Sequence, residues 1–208
     1  MSKKKSVPAR AFKWVRAEQH SMLIECIEAG RGHDALYLAN SEDRLPLCMA
    51  LWKRIPPTER AAVLAGAIAG GDLPVRVWRP LNRALCELRD AGQLVFDGEA
   101  ARSAFRELPE MVTVYRGTVQ AEVDADMFGV CWTLDRRRAV WFATKHGRFR
   151  NTRSPPVLLE TKIPRTDICG LLFERNEREV LIATASIYRN KPVAQPVSPM
   201  PEESEATH

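Results

Sequence analysis

A chain of 208 residues with 45% hydrophobic and 27% charged side chains has the make-up of a globular protein, with apolar material for one domain or two small ones, and this excludes a disordered or fibrous chain. No run approaches the roughly 20 consecutive apolar residues that a bilayer span needs, and the opening MSKKKSVPAR leads into polar sequence rather than an apolar signal core, so no membrane association and a cytoplasmic location are expected. The net charge of +5 is mild and suits an anionic small molecule as well as it suits nucleic acid.

From Phe12 to Pro109 apolar residues recur at three- and four-residue spacing with few β-branched runs, which predicts a helical N-terminal domain over residues 1–109 with about five helices. Pro57 and Thr58 open a segment from Ala61 to Ala69 rich enough in alanine and aliphatic residues to be buried. Trp78, Leu81, Leu85 and Leu88 form one face of a later helix, Arg79, Arg83 and Arg89 point elsewhere, and Gly92 is a natural stop.

Beyond Pro109 the texture changes to short β-rich runs at Val112 to Tyr115, Gly129 to Thr133, Val157 to Ile163 and Val180 to Ile187, with one helix from about Arg137 to Lys145. Strands with so little helix between them predict a compact mixed or antiparallel sheet, so the fold class is α+β with a second domain over residues 110–189. From Asn190 onward the chain is rich in proline and acid, and a disordered tail over residues 190–208 is expected.

Five cysteines, Cys26, Cys48, Cys86, Cys131 and Cys169, lie far apart with no C-x-x-C pair and no histidine at ligand spacing, so reduced thiols and no metal are expected. His20, His33, His146 and His208 are isolated and carry no role. The basic residues Arg136, Arg137, Arg138, Lys145, Arg148, Arg150 and Arg153 lack interleaved aromatics, so a solvated surface is favoured over a nucleic-acid groove.

Three pieces of the second half stand in a telling order. Val114-Tyr115-Arg116-Gly117 is a strand ending in arginine and glycine. Gly129-Val130-Cys131-Trp132-Thr133 is a middle strand, followed by Ala139 to Ala143. Asn176-Glu177-Arg178-Glu179-Val180-Leu181-Ile182 carries an E-x-E. Each is weak alone, and the order and spacing give them weight together.

Together these pieces resemble the arginine–serine–glutamate class of mono-ADP-ribosyltransferases, a family that includes bacterial toxins and phage-encoded modifiers of host proteins. The resemblance spans about residues 111–189. It implies an ADP-ribosyltransferase-like split β-sandwich with peripheral helices, NAD as co-substrate, no metal, and a protein target whose acceptor is most often an arginine. It assigns Arg116 to the NAD phosphates, which suits the planar fork of donors on a guanidinium. It assigns Glu179 to the ribose 2′-hydroxyl and to the cationic, oxocarbenium-like transition state, where a carboxylate stabilises developing positive charge. Thr133 would brace that carboxylate, and Glu177 would prepare the acceptor.

The resemblance further implies a cofactor-binding role for Gly117, where a missing Cβ permits close approach, and for Cys131, Trp132 and Phe142. Phe173 and Asn176 fall where the family keeps its target-recognition loop. Glu177 and Glu179, two apart in a predicted strand, are expected to share a face. Cys131 departs from the family, since serine stands there in its members, and a thiol is a much weaker hydrogen-bonding group. Two other outcomes stay open: NAD hydrolysis with water as acceptor, and an NAD-binding or interaction protein whose turnover is reduced.

Overall fold

The computed structural model describes residues 6–69, 77–146, 154–173 and 178–198. The protein is α+β and divides into two compact units, Met1–Glu107 with Cys169–Asn176, and Leu108–Ile168 with Glu177–His208. The first unit is thus not one continuous stretch, because it takes up a short segment from the second half of the chain.

In the first unit the described helices are α1 (His20–Glu28), α2 (Gly32–Leu36), α3 (Arg44–Leu51), α4 (Arg60–Ala69), α5 (Trp78–Asp90) and α6 (Glu99–Glu107). Helix α4 buries Val63, Leu64, Ala65, Ala67 and Ile68, as its alanine-rich composition predicts. Helix α5 buries Leu81, Ala84, Leu85 and Leu88, a stripe at 3.6-residue period, while Arg79 and Arg83 are exposed. It ends in a Schellman motif: Gly92 takes φ +70, its N–H donates to the Arg89 carbonyl, and the Gln93 N–H donates to the Leu88 carbonyl. Glu87 of the same helix accepts from the Trp52 indole at 2.8 Å and from the Arg60 guanidinium, tying the end of α3 and the start of α4 to α5.

The helical reading of this half misses one strand, β1 (Val95–Phe96), which pairs in parallel with β5 (Ile168–Leu172) through Val95 with Gly170 and Phe96 with Leu171. A two-residue strand has no period to detect. Gly170 is there because a Cβ would stand 2.2 Å from the Val95 carbonyl oxygen.

In the second unit the strand order is β6-β3-β2-β4-β7, all pairs antiparallel, with β2 (Met111–Val119), β3 (Cys131–Thr133), β4 (Pro156–Pro164), β6 (Glu179–Ile182) and β7 (Val193–Pro196). One face of β2 and β4 is core: Val112, Val114 and Thr118 lie opposite Ile163, Thr161 and Val157, and all six are buried. Helix α7 (Gln120–Asp124) follows β2, and helix α8 (Arg136–Trp141) follows β3 and continues as a π-helical turn over Phe142–His146.

Two expectations fail here. The run Val180 to Ile187 is strand only to Ile182, because α9 (Thr184–Asn190) takes over. That helix is fixed by tertiary bonds, Ser186 Oγ donating to Asp167 and Thr161 Oγ1 donating to the Asn190 carbonyl, and these override the β propensity of the sequence. Within the tail expected to be disordered from Asn190, Val193–Pro196 instead form β7, paired with β4 from Val193 with Glu160 to Pro196 with Val157, while residues 199–208 lie outside the described residues. Proline is tolerated because β7 is an edge strand, with no further ladder on its outer side among the described residues.

Candidate active site

The three motif strands are neighbours. Strand β3 lies between β2 and β6, with Tyr115 opposite Thr133 and Thr133 opposite Glu179. Strand β4 extends the row, since Glu160 lies opposite Tyr115. Residues directly opposite in an antiparallel ladder project to the same face, so Glu160, Tyr115, Thr133 and Glu179 form one line of side chains across four strands. Thr133 is 6% exposed, and Glu179, Tyr115 and Glu160 are half-buried. Thr133 Oγ1 accepts from the Asp135 N–H at 3.1 Å, and Asp135 in turn caps α8 by accepting from the Arg137 and Arg138 N–H groups.

Cys131, two residues before Thr133, shares that face. Trp132 therefore points to the other, where it is 2% exposed with its indole N–H donating to the Gly129 carbonyl at 3.0 Å. The side chain expected to line a cofactor site is instead core.

Arg116 follows Tyr115 along β2, so its Cβ projects to the core face, opposite to that of Thr133 and Glu179. The guanidinium reaches the start of β3, where Nη1 donates to the Cys131 carbonyl at 2.8 Å. Gly129 lies beside it, where a Cβ would be 2.8 to 2.9 Å from the guanidinium atoms. Nη2 stands 3.7 Å from Glu122 Oε2, with side-chain exposures of 15% and 16%, and Thr118 Oγ1 donates to that same carboxylate oxygen at 2.5 Å. The Arg116 guanidinium and Glu179 thus stand toward opposite ends of β3, whose Cys131 and Thr133 are about 7 Å apart along the strand.

Gly117 serves close approach, but by the protein's own chain. A Cβ at this position would sit 1.9 Å from the Ala139 carbonyl oxygen and 2.5 Å from the Ala143 nitrogen, so α8 and the π-helical turn rest directly on β2. Phe142 lies in that turn, edge-on to Trp141 at 5.1 Å, and Arg138 stacks on both rings. Phe173 belongs to the first unit, where its N–H donates to the Asp97 carboxylate.

Glu177 and Asn176 lie outside the described residues. The shared face expected for Glu177 and Glu179 does not follow from strand alternation, because β6 begins at Glu179 and Arg178 takes φ +46. Residues on these strands and on α7 to which the motifs assign no role are Glu160, Glu122 and Tyr115. A charge inside the apolar run Val157 to Ile163 was the available signal for Glu160. Glu122 gave none, because it acts across a five-residue helix that has no amphipathic pattern.

Among the described residues no group of three or more His, Cys, Asp or Glu side chains is placed to hold a metal ion, and no helix is long and apolar enough to cross a membrane. None of the five cysteines, all within the described residues, forms a disulfide. Comparison with protein-family models, with curated proteins and with solved structures finds no match for this chain.

Proposed function

We propose that the second unit is a mono-ADP-ribosyltransferase that cleaves the nicotinamide–ribose bond of NAD and passes ADP-ribose to a protein, with arginine as acceptor. The observation that carries this reading is the adjacency of β2, β3 and β6, which brings three motifs separated by up to 63 positions (179 minus 116) onto consecutive strands with Thr133 opposite Glu179. The five-stranded antiparallel sheet would be one layer of the split β-sandwich that the resemblance implies.

In this reading the bond from ribose C1′ to the nicotinamide nitrogen breaks with its electron pair leaving on nicotinamide. Glu179 stabilises the cationic ribose, through both its charge and a hydrogen bond to the 2′-hydroxyl. A guanidinium nitrogen of the target then bonds to C1′ and gives up its proton, with Glu177 as the proposed acceptor. Arg116 supplies paired donors to the phosphates, and Thr133, opposite Glu179 on the neighbouring strand, braces that carboxylate.

A second reading, a protein that binds a nucleotide without turning it over, is favoured by the direction of Arg116 into the core face and by Cys131 in the serine position. Incubation of the purified chain with NAD labelled in its ADP-ribose part, in the presence of lysate, separates the outcomes. Label on protein means transfer, free ADP-ribose alone means hydrolysis, and intact NAD means the second reading.

A further inference from the structure

We propose that Glu122 makes the Arg116 site selective for a diphosphate that is esterified at both ends, as in a dinucleotide, over diphosphates that carry a free terminal phosphate. The inference rests on the reading that Arg116 meets the phosphates of NAD.

The Arg116 guanidinium is tied on one side to the Cys131 carbonyl and faces Glu122 on the other, 3.7 Å from Nη2 to Oε2. Both side chains are more than four-fifths buried, so solvent screens their charges poorly. The carboxylate does not swing freely, because Thr118 holds the oxygen that faces Arg116. Gly129 stands beside the guanidinium, where a Cβ would lie within 3 Å of its atoms.

The local formal charge of this pair is zero. Glu122 therefore offsets part of the positive charge that Arg116 would present to a highly charged anion. Any phosphate approaching Nη2 also approaches Glu122, and like-charge juxtaposition is penalised in proportion to the charge the ligand brings. A diphosphate esterified at both ends carries one negative charge per phosphorus. A terminal phosphate carries up to two near neutral pH, since its second proton leaves near pH 6. Glu122 thus costs ADP or inorganic pyrophosphate more than it costs a diester.

The test is calorimetric titration of the full chain, wild type and Glu122→Gln, with ADP-ribose, ADP and inorganic pyrophosphate. ADP-ribose is a diester diphosphate with no nicotinamide to lose, so binding is read without turnover. Glutamine keeps an acceptor for the Thr118 hydroxyl. The wild type should bind ADP-ribose at least tenfold more tightly than pyrophosphate. Glu122→Gln should narrow that preference by tenfold or more, with the gain largest for pyrophosphate, smaller for ADP and least for ADP-ribose. Glu122→Asp, whose shorter side chain draws the charge back, should fall between, and it serves if the glutamine variant does not fold. An unchanged order and ratio of affinities in the variants, or absence of binding of all three ligands to every form, overturns the proposal. The transferase reading has its own readout: a charge-graded gain in Glu122→Gln without nicotinamide release from NAD by the wild type would keep this inference and remove that one.

Discussion

Gly117 on β2 lies under the backbone of α8, so close that a Cβ at this position would stand 1.9 Å from the carbonyl oxygen of Ala139. The glycine after the motif arginine is therefore required by packing, whatever the protein binds. Neither contacting atom is the end of a flexible side chain. Gly117→Ala must displace α8 from the sheet, at a cost of about 3 kcal/mol, the upper part of the range for overpacking. Urea denaturation should show this loss; a change under about 0.5 kcal/mol, the scale of neutral surface substitutions, would mean that α8 does not rest on β2 as described.

Burial pushes the Cys48 thiol up from an ordinary 9.0 to about 12. Between those values the folded protein keeps a proton that the unfolded chain releases. The stabilisation is whole below pH 9 and is lost as pH climbs toward 12, at about 1.4 kcal/mol per pH unit within that window. Wild-type stability should fall more steeply between pH 9 and 10.5 than that of Cys48→Ala. Equal slopes would show that Cys48 ionises as readily when folded. The native thiol should also resist labelling under conditions that label the half-buried Cys86 and Cys131.

Much of the α+β character was legible from the chain alone, because α5 and β2 carry strong periods: Leu81, Leu85 and Leu88 at helical spacing, and Val112 and Val114 in alternation. What escaped was set by partners distant in sequence. The strand Val95–Phe96 exists only through Gly170, β7 exists only because β4 offers an edge, and Thr184–Asn190 is helical through a bond donated to Asp167 and one accepted from Thr161. In the candidate site the adjacency of the motifs agrees with their order along the chain. The direction of Arg116 was not legible, since a one-residue offset in register decides the face. The Arg116–Glu122 pair was hidden as well, because the five-residue helix that carries Glu122 has no amphipathic pattern.

Thr133 is buried opposite Glu179 and accepts the Asp135 N–H. Thr133→Val keeps the shape and removes the oxygen, leaving that N–H without this acceptor at a cost of about 1 kcal/mol. In the transferase reading the same change also loosens the support of Glu179, so nicotinamide release should drop at least tenfold. A loss of stability with turnover intact would make Thr133 a purely structural residue.

Cys131 stands where the family resemblance calls for serine and shares a face with Thr133 and Glu179. A hydroxyl is a far stronger hydrogen-bonding group than a thiol. Cys131→Ser should therefore raise the rate of nicotinamide release several-fold, at little cost in stability because the position is half-buried. A rate that falls or does not move would remove position 131 from the chemistry.

In the transferase reading Glu179 acts on the nicotinamide–ribose bond of NAD. Nicotinamide release should be followed for the wild type and for Glu179→Gln, which keeps the size of the side chain and removes its charge. Steady release by the wild type and a loss of at least a hundredfold in the variant are expected, with the melting temperature of the two proteins alike. Equal rates from both, or no release by a folded wild-type protein, would contradict that reading.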